Sequence, residues 1–269
     1  MGLKINNNLP ALGARRQAEI NNRALNRVLG QLGSGLRINR AADDAAGLAI
    51  SERFRTQIRQ FTQEAANLQS GVNAIQTAEG GLSAQQDAVG RIRELAVQAA
   101  NGTLTDDQRA AINDEAQQLI EQIDQTAEGT TFNEQELLTG TGDPIELGTA
   151  AGDQVVINPS TVDTLGLNGL DLGTQEGAAA ALDALDTAET RISQNRASLG
   201  AQENRLTRGI SVRETTTQNL QESESMLRDL DVARATTEQT RNQILLQSSL
   251  AALAQGNVVP QAAAQLLGG

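Results

Sequence analysis

The chain has 269 residues, a formal net charge of −12 at pH 7, and no cysteine, histidine, tryptophan or tyrosine. The lack of cysteine and histidine removes disulfides, thiolate chemistry and the commonest metal ligand. The acidic balance argues against a nucleic-acid partner, because backbone phosphates attract lysine and arginine. Since aromatic residues make up only 1% of the chain, any core must consist of Leu, Ile, Val and Ala, and association with another subunit is expected to complete it.

The N-terminal segment contains no apolar run of signal-peptide length, and no stretch of the chain approaches the roughly 20 apolar residues of a membrane span. We therefore expect neither a cleavable signal peptide nor a membrane-embedded segment.

Apolar residues at helical spacing predict three helices in the first half of the chain. The first runs from Leu9 to Leu36 and ends in a glycine-rich connector. The second runs from Asp44 to Ala100, with Asp43 and Asp44 at its N-terminal cap, and would be about 85 Å long at about 1.5 Å per residue. The third begins at the capping box Thr105-Asp106-Asp107-Gln108.

A β-hairpin is predicted after these helices. Two short apolar or alternating runs, Ile145–Leu147 and Gln154–Ile157, flank a turn segment, and Pro144 and Pro159 bracket the pair. Proline is expected at strand ends because it cannot donate a hydrogen bond within a central strand.

A seven-residue apolar repeat predicts another long helix, from about Glu176 to Leu230, that lies along a partner. Its similar length makes the Asp44–Ala100 helix the expected antiparallel partner, but Arg213 interrupts the repeat without a physical explanation at this level. A final helix is expected opposite the first one, with a break at Gly256-Asn257 and Pro260. The repeat comprises Leu185, Ile192, Leu199, Leu206, Leu220 and Leu227.

Catalytic and metal-binding readings find little support. Paired acidic residues such as Asp106 and Asp107 lie at predicted helix starts, where capping or solvation explains them, and no histidine completes a metal set. Ser34 and Ser51 lack a visible activating base. We therefore predict no enzyme activity, no metal and no cofactor. By periodicity alone, the cluster from Arg91 to Glu94 is a solvated helix face.

Several separated motifs, in order along nearly the whole chain, closely resemble bacterial flagellin. The N-terminal signature is the most specific, and further matches extend to the C-terminal region. The matching segments are Ser34 to Asn39 (SGLRIN), Asp43 to Gly47 (DDAAG), Arg53-Phe54, Gln76 to Gly80 (QTAEG), Arg91 to Gln98 (RIRELAVQ), Thr131 to Asn133 (TFN), Gln243 to Leu245 (QIL) and Val259 to Gln261 (VPQ).

The resemblance implies a mainly α fold: a long antiparallel helical bundle or coiled coil with a small β-hairpin region near 144–158. It implies an inner domain, D0, made from both chain ends, and a helical domain, D1, while the outer D2 and D3 domains of many flagellins are absent. The implied boundaries are 2–34 for the N-terminal D0 helix, 35–47 for the N-terminal spoke, 48–228 for D1, 229–233 for the C-terminal spoke and 234–269 for the C-terminal D0 helix.

Two packing surfaces follow from this architecture. The D1 seam is expected to contain Ile58, Phe61, Leu68, Val72, Ile75, Leu185, Ile192, Leu199 and Leu206. The D0 helices are expected to pack through Leu25, Val28, Leu32, Leu246, Leu250 and Leu253.

The function implied by the resemblance is that of a structural subunit that polymerises into the extracellular flagellar filament for swimming motility. Such a subunit is exported unfolded by the flagellar type III apparatus and folds under the filament cap. Its implied partners are other copies of itself, an export chaperone at the C-terminal segment, and the cap and hook-filament junction proteins. Arg91, Leu95, Gln98 and Glu115 match the surface that packs between subunits and that Toll-like receptor 5 recognises in many members.

Two alternatives stay open at the level of sequence. A hook-filament junction protein would share the paired terminal helices and the export route. A soluble coiled-coil adaptor would need only the seven-residue repeat.

Overall fold

The structure is a computed structural model that describes residues 8–267, with side chains described for residues 8–258. The side chains of the VPQ motif at 259–261 lie outside the described residues. Helices dominate the described chain, which confirms the predicted mainly α class. They are α1 (Leu9–Ser34), α2 (Ala45–Ala99), α3 (Asp106–Gly129), α4 (Val162–Leu165), α5 (Gln175–Arg228) and α6 (Val232–Leu267), with strands β1 (Thr131–Phe132), β2 (Gln135–Glu136), β3 (Ile145–Glu146) and β4 (Gln154–Val155).

The chain divides into two compact units. The terminal unit contains the residues up to Ile58 and those from Gln218 onward, and the central unit spans Arg59–Thr217. Helices α2 and α5 contribute to both units. The main hydrophobic cluster of the described residues lies between Leu68 and Leu206, and so belongs entirely to the central unit.

In the central unit, α2 and α5 pair antiparallel, as their equal predicted lengths suggested. Gln76 Nε2 donates to Glu203 Oε1 at 2.9 Å, and Arg93 Nη1 lies 2.8 Å from Glu189 Oε2. Residues later in α2 therefore contact residues earlier in α5, as an antiparallel pair requires. Most expected seam residues are at most 5% exposed, whereas Ile58 and Phe61 are only half-buried. The buried seam residues are Leu68, Val72, Ile75, Leu185, Ile192, Leu199 and Leu206.

Arg213, which interrupts the apolar repeat, forms a buried ion pair. Its Nε lies 2.8 Å from Glu64 Oε2 on α2, and its Nη2 lies 3.1 Å from Asp153 Oδ2 next to strand β4. The carboxylate of Glu64 also accepts hydrogen bonds from Gln60 Nε2 and the Ala150 amide. A charge therefore replaces leucine at this position because two carboxylates from different elements converge there.

Burial alone would raise the pKa of Glu64. Hydrogen bonds from Gln60, Arg213 and the Ala150 amide, together with the positive charge of Arg213, outweigh it, so that pKa lies below its ordinary value. Asp153 is the other carboxylate facing Arg213.

Two hairpins follow α3. The predicted hairpin is present as β3 paired antiparallel with β4, but its strands are only two residues long. The β1–β2 hairpin was not predicted. Its two-residue loop, Asn133-Glu134, has φ values of 51° and 66°, the left-handed conformation that such tight hairpins require.

Glycines on α2 allow the hairpin region to approach this helix closely. A Cβ at Gly71 would lie 2.8 Å from Leu147 Cδ1, and one at Gly81 would lie 2.8 Å from Leu138 Cδ1 and against Thr130 Oγ1. Leu147 and Leu138 are both buried. Because Gly71 and Gly81 have no side chain, Leu147 and Leu138 can pack directly against the backbone of α2.

In the terminal unit, α1 packs against α6 mainly through small residues. Ala11, Ala18 and Val28 of α1 are buried, as is Ser249 of α6. Of the residues expected to pack between these helices, Val28 is buried, and the half-buried ones are Leu25, Leu32, Leu246 and Leu253. The prediction for Leu250 was wrong: this side chain is 51% exposed, because the neighbouring Ser249 occupies the inward-facing position.

Helix α6 continues through Gly256, Asn257 and Pro260, where a break was predicted. Proline has no N–H, so Pro260 cannot supply the helical hydrogen bond to the carbonyl four residues earlier, that of Gly256. Asn8 Nδ2 donates to this same carbonyl at 2.9 Å. The Asn8 side-chain oxygen also caps α1 by accepting from the Ala11 amide, so the partner helix compensates for the proline.

The close packing of Leu138 against Gly81 can be tested with a matched pair of substitutions. We expect Gly81→Ala to lower the free energy of unfolding by about 1 to 3 kcal/mol, because the added methyl overpacks against Leu138 and Thr130. Gly80→Ala is the control, since a Cβ there meets nothing within 4 Å, and it should stabilise by up to about 1 kcal/mol through helix propensity. Denaturant unfolding measures the free energy of unfolding of both variants. Equal effects of the two substitutions would contradict the close packing of Leu138 against Gly81.

The buried pair of Arg213 and Glu64 should give an acid-sensitive contribution to stability. Because the folded-state pKa of Glu64 is depressed, its contribution is present above the unfolded-state pKa of about 4.3 and is lost as pH falls through the folded value. We expect Glu64→Gln to cost about 3 kcal/mol at pH 7 and to flatten the acid limb of the stability curve. Urea unfolding from pH 7 to pH 3 tests both effects.

The double variant Glu64→Leu/Arg213→Leu is the matched comparison. It restores the apolar repeat and leaves no buried charge on either helix, so it should recover most of the stability that the single variant loses. A double variant no more stable than Glu64→Gln would contradict this account.

Candidate assembly and recognition surfaces

Arg91 links α2 to α3 on the surface of the central unit. Its Nη1 lies 2.8 Å from Glu94 Oε2, and its Nη2 lies 2.9 Å from Glu115 Oε1. These hydrogen bonds, first that to Glu94 and then that to Glu115, raise the pKa of Arg91. All three side chains are about half exposed or more, so the cluster orients the guanidinium and adds little to stability.

A buried arginine sets the turn that brings α3 beside α2. Arg109 Nε donates to the Ala99 carbonyl at 3.1 Å and Nη2 to the Asn101 carbonyl at 3.2 Å, which satisfies acceptors at the end of α2. The predicted capping box of Thr105 and Gln108 starts α3 next to this contact. Sequence reasoning missed Arg109, although an arginine three residues before Ile112 on the apolar face was a usable signal.

The placement of Leu95 corrects the expected recognition set. Arg91, Gln98 and Glu115 are exposed, but Leu95 is only 2% exposed and belongs to the hydrophobic core. Leu95 lies three residues after the buried Ile92, which places it on the core face of α2. It is therefore not a surface contact of this chain.

The apolar residue that accompanies this surface is Val97, which is 59% exposed. Val97 follows Glu94 by three residues on α2, so the two lie on one helix face with Gln98 adjacent. The signal in the sequence was the helical phase: two residues past Leu95, a side chain turns by about 200° away from the core.

The two connectors within the terminal unit are tied together by backbone hydrogen bonds. The Arg37 amide donates to the Arg228 carbonyl at 2.7 Å, and the Leu230 amide donates to the Gly35 carbonyl at 3.0 Å. Ile38 is buried in this region, and a Cβ at Gly47 would lie 2.8 Å from its Cδ1. The glycine of the DDAAG motif thus makes room for the isoleucine of SGLRIN.

Large apolar side chains remain exposed mostly in the terminal unit. Among the described residues, those that are at least 40% exposed include eleven in this unit and three in the central unit, namely Val97, Val156 and Val212. The eleven are Leu9, Leu12, Ile20, Leu29, Ile50, Met226, Val232, Ile244, Leu245, Leu250 and Val258.

Two further observations concern site chemistry. Side chains described for residues 8–258 contain no group of three or more acidic, histidine or cysteine residues positioned to hold a metal ion. None of the helices in the described part of the chain combines the length and apolar character needed to cross a membrane.

Comparison with known proteins establishes the family. Residues 5–143 match the bacterial flagellin N-terminal helical region, and residues 182–267 match the bacterial flagellin C-terminal helical region. The chain belongs to the bacterial flagellin family, and its length fits the short form with D0 and D1 alone.

Curated relatives match over nearly their whole length. A flagellin of Halalkalibacterium halodurans is 44% identical, over 98% of this chain and 99% of the relative. The flagellar filament 30.7 kDa core protein of Treponema maltophilum is 41% identical with the same coverage. These relatives identify the chain as a structural subunit of the flagellar filament, which disfavours both the junction protein and the soluble adaptor.

Solved structures agree with this family. The crystal structure of Bacillus cereus flagellin is 30% identical, covers 55% of this chain and 88% of that one, and gives a TM-score of 0.50. A putative flagellar hook-associated protein of Vibrio parahaemolyticus gives a TM-score of 0.60 over 69% of this chain and 99% of its own. At 16% identity, that second likeness concerns the fold alone.

Proposed function

We propose that this flagellin polymerises chiefly through the terminal unit, whose apolar side chains are covered when subunits stack. The observation that carries this proposal is their distribution. The central unit holds the hydrophobic cluster, whereas Leu12, Ile244 and Leu250 of the terminal helices are each more than half exposed. Apolar area of this extent gains free energy when another subunit removes it from water.

The proposed domain boundaries differ from the division into two units at the edges of D1, whose residues 48–58 and 218–228 lie in the terminal unit. We assign 2–34 and 234–269 to D0, 35–47 and 229–233 to the spokes, and 48–228 to D1. The terminal helices bury mainly alanine and serine between them, which supports ordering of D0 largely through neighbouring subunits.

Export as an unfolded chain through the flagellar type III apparatus fits this composition. A chain without cysteine and with 1% aromatic residues forms no disulfide before export and has little aromatic surface to misassociate. On this route, an export chaperone binds the exposed apolar side chains of α6 before export. The exported chain then folds beneath the filament cap and joins an extracellular filament, which the junction proteins connect to the hook.

We propose that the lateral surface of Arg91, Gln98 and Glu115, with Val97 in place of Leu95, is a contact between subunits. In the monomer, Toll-like receptor 5 recognises the same surface. Its support is the Arg91 guanidinium, oriented by Glu115, and the exposed apolar side chain of Val97 less than two helical turns further along α2. Such a pairing of arginine with apolar area is typical of binding hot spots.

Elongation of filament seeds by the purified chain tests the proposed function. We expect Ile244→Ser/Leu250→Ser to raise the monomer concentration required for elongation at least about tenfold, because two apolar side chains lose burial worth about 1 to 3 kcal/mol each. The control is Val212→Ser, which removes an apolar side chain that is 63% exposed in the central unit. Electron microscopy and sedimentation measure the polymer, and equal effects of the variants would contradict assembly through the terminal unit.

A receptor reporter assay with monomers tests the recognition surface. We expect Arg91→Ala to raise the concentration for half-maximal activation at least about tenfold, since loss of a desolvated arginine contact costs about 2 kcal/mol. Arg208→Ala, a change of another exposed arginine, serves as the control. Undiminished activation by the Arg91 variant would count against the proposal.

A further inference from the structure

We propose that an arginine-lined cleft of the terminal unit binds carboxylates of a second copy of this chain. The cleft has a volume of about 630 Å³ and lies between the C-terminal half of α1 and the loop before α2. Arg23, Arg27 and Arg40 supply its charge, and Asn26 and Gln31 supply amide groups. This inference rests on the proposed self-assembly and names the electrostatic part of it.

Hydrogen bonds hold the walls of the cleft in place. Asn39 Nδ2 donates to the Gly30 carbonyl at 3.2 Å and to Ser34 Oγ at 2.6 Å, which ties the loop to α1. Asp43 Oδ2 accepts from the Arg40 amide at 3.0 Å and from the Asn39 amide at 3.3 Å. The loop that carries Arg40 is therefore fixed by backbone and amide contacts and does not need a bound anion to order it.

The guanidinium groups of the cleft have no carboxylate of their own. Within residues 8–258, neither Arg27 nor Arg40 forms an ion pair, and Arg23 Nε donates only to the Glu19 carbonyl of its own helix. Asp43 is the single acidic residue in the lining. The Glu19 carboxylate pairs instead with Arg15. Three cations thus share one cleft with little local compensation.

The charge distribution along the chain points to another copy as the occupant. Residues 8–44 contain six arginines and three acidic residues, although the whole chain has 21 basic and 33 acidic residues. Residues 1–7 and 259–269 contain no Asp or Glu, so the chain ends offer no acidic side chain to the cleft. Because the whole chain carries an excess of carboxylates, a second copy supplies them to a basic cleft, and guanidinium groups bind carboxylates through paired hydrogen bonds.

Neutralisation of the cleft tests this assignment. The triple variant Arg23→Gln/Arg27→Gln/Arg40→Gln is compared with Arg191→Gln/Arg205→Gln/Arg208→Gln, which removes the same charge from exposed arginines of the central unit. Seeded elongation is measured from 20 mM to 500 mM NaCl. For the cleft variant we expect the monomer concentration required at low salt to rise at least about fivefold, with most of its salt dependence lost, because exposed pairs are weak singly and screened together.

Three results would overturn the inference: equal effects of both triple variants, an unchanged salt dependence of the cleft variant, or a cleft variant that elongates like the unmodified chain. Failure of the unmodified chain to elongate seeds would instead contradict the proposed self-assembly. A second copy would then no longer be available as the occupant of the cleft. Circular dichroism of each variant monomer checks that the helices are retained.

Cross-linking identifies the occupant. Because the chain has no cysteine, Arg27→Cys carries a single photo-reactive maleimide, and filaments are grown from a mixture of ¹⁴N and ¹⁵N subunits. We expect mixed-isotope cross-links to peptides that contain exposed Asp or Glu. Cross-links confined to one isotope, or to peptides without acidic residues, would overturn the assignment to a second copy.

Discussion

The buried pairing of Arg213 with Glu64 and Asp153 is the constraint on which the arrangement of the central unit depends. An apolar seven-residue repeat can pair with its partner in more than one register, since a shift by one repeat again places apolar side chains together. A buried guanidinium leaves only the register that meets Glu64 on α2 and Asp153 beside β4. Once this contact is made, the β3–β4 hairpin is held beside the helix pair, and Leu147 packs against Gly71.

The two units differ in how far one chain can stabilise them. In the central unit, leucines and isoleucines from α2, α3, α5 and the hairpin segments close a continuous core. In the terminal unit, the α1 and α6 contact buries mostly small side chains and leaves Leu12 and Leu250 in solvent. The first kind of packing offsets the ordering entropy of its own residues, and the second needs apolar area from another subunit. This difference suits a subunit of a flagellar filament, since the terminal helices of one copy can be covered by those of its neighbours.

Periodicity in the sequence predicted the long helices, their antiparallel pairing and the buried positions from Leu68 to Leu206. Single residues whose role depends on a partner distant in the sequence could not be found that way. The Arg213 interruption has no explanation without Asp153 and Glu64, and the helix through Pro260 has none without the Asn8 amide. The motif match placed Leu95 on the recognition surface, but the local phase after Ile92 already assigned it to the core. The β1–β2 hairpin was missed because its strands are too short for an alternating pattern, although Asn133 is a residue that tolerates the left-handed conformation.

The most direct test of this account compares amide hydrogen exchange in the monomer and in the filament. We expect strong protection of α2 between Leu68 and Ala99 in both states, since the core there is complete within one chain. We expect amides of α1 and α6 to exchange at least about a hundredfold faster in the monomer, which corresponds to about 2.7 kcal/mol supplied by neighbouring subunits. Equal protection of the terminal helices in the monomer and the filament would contradict it.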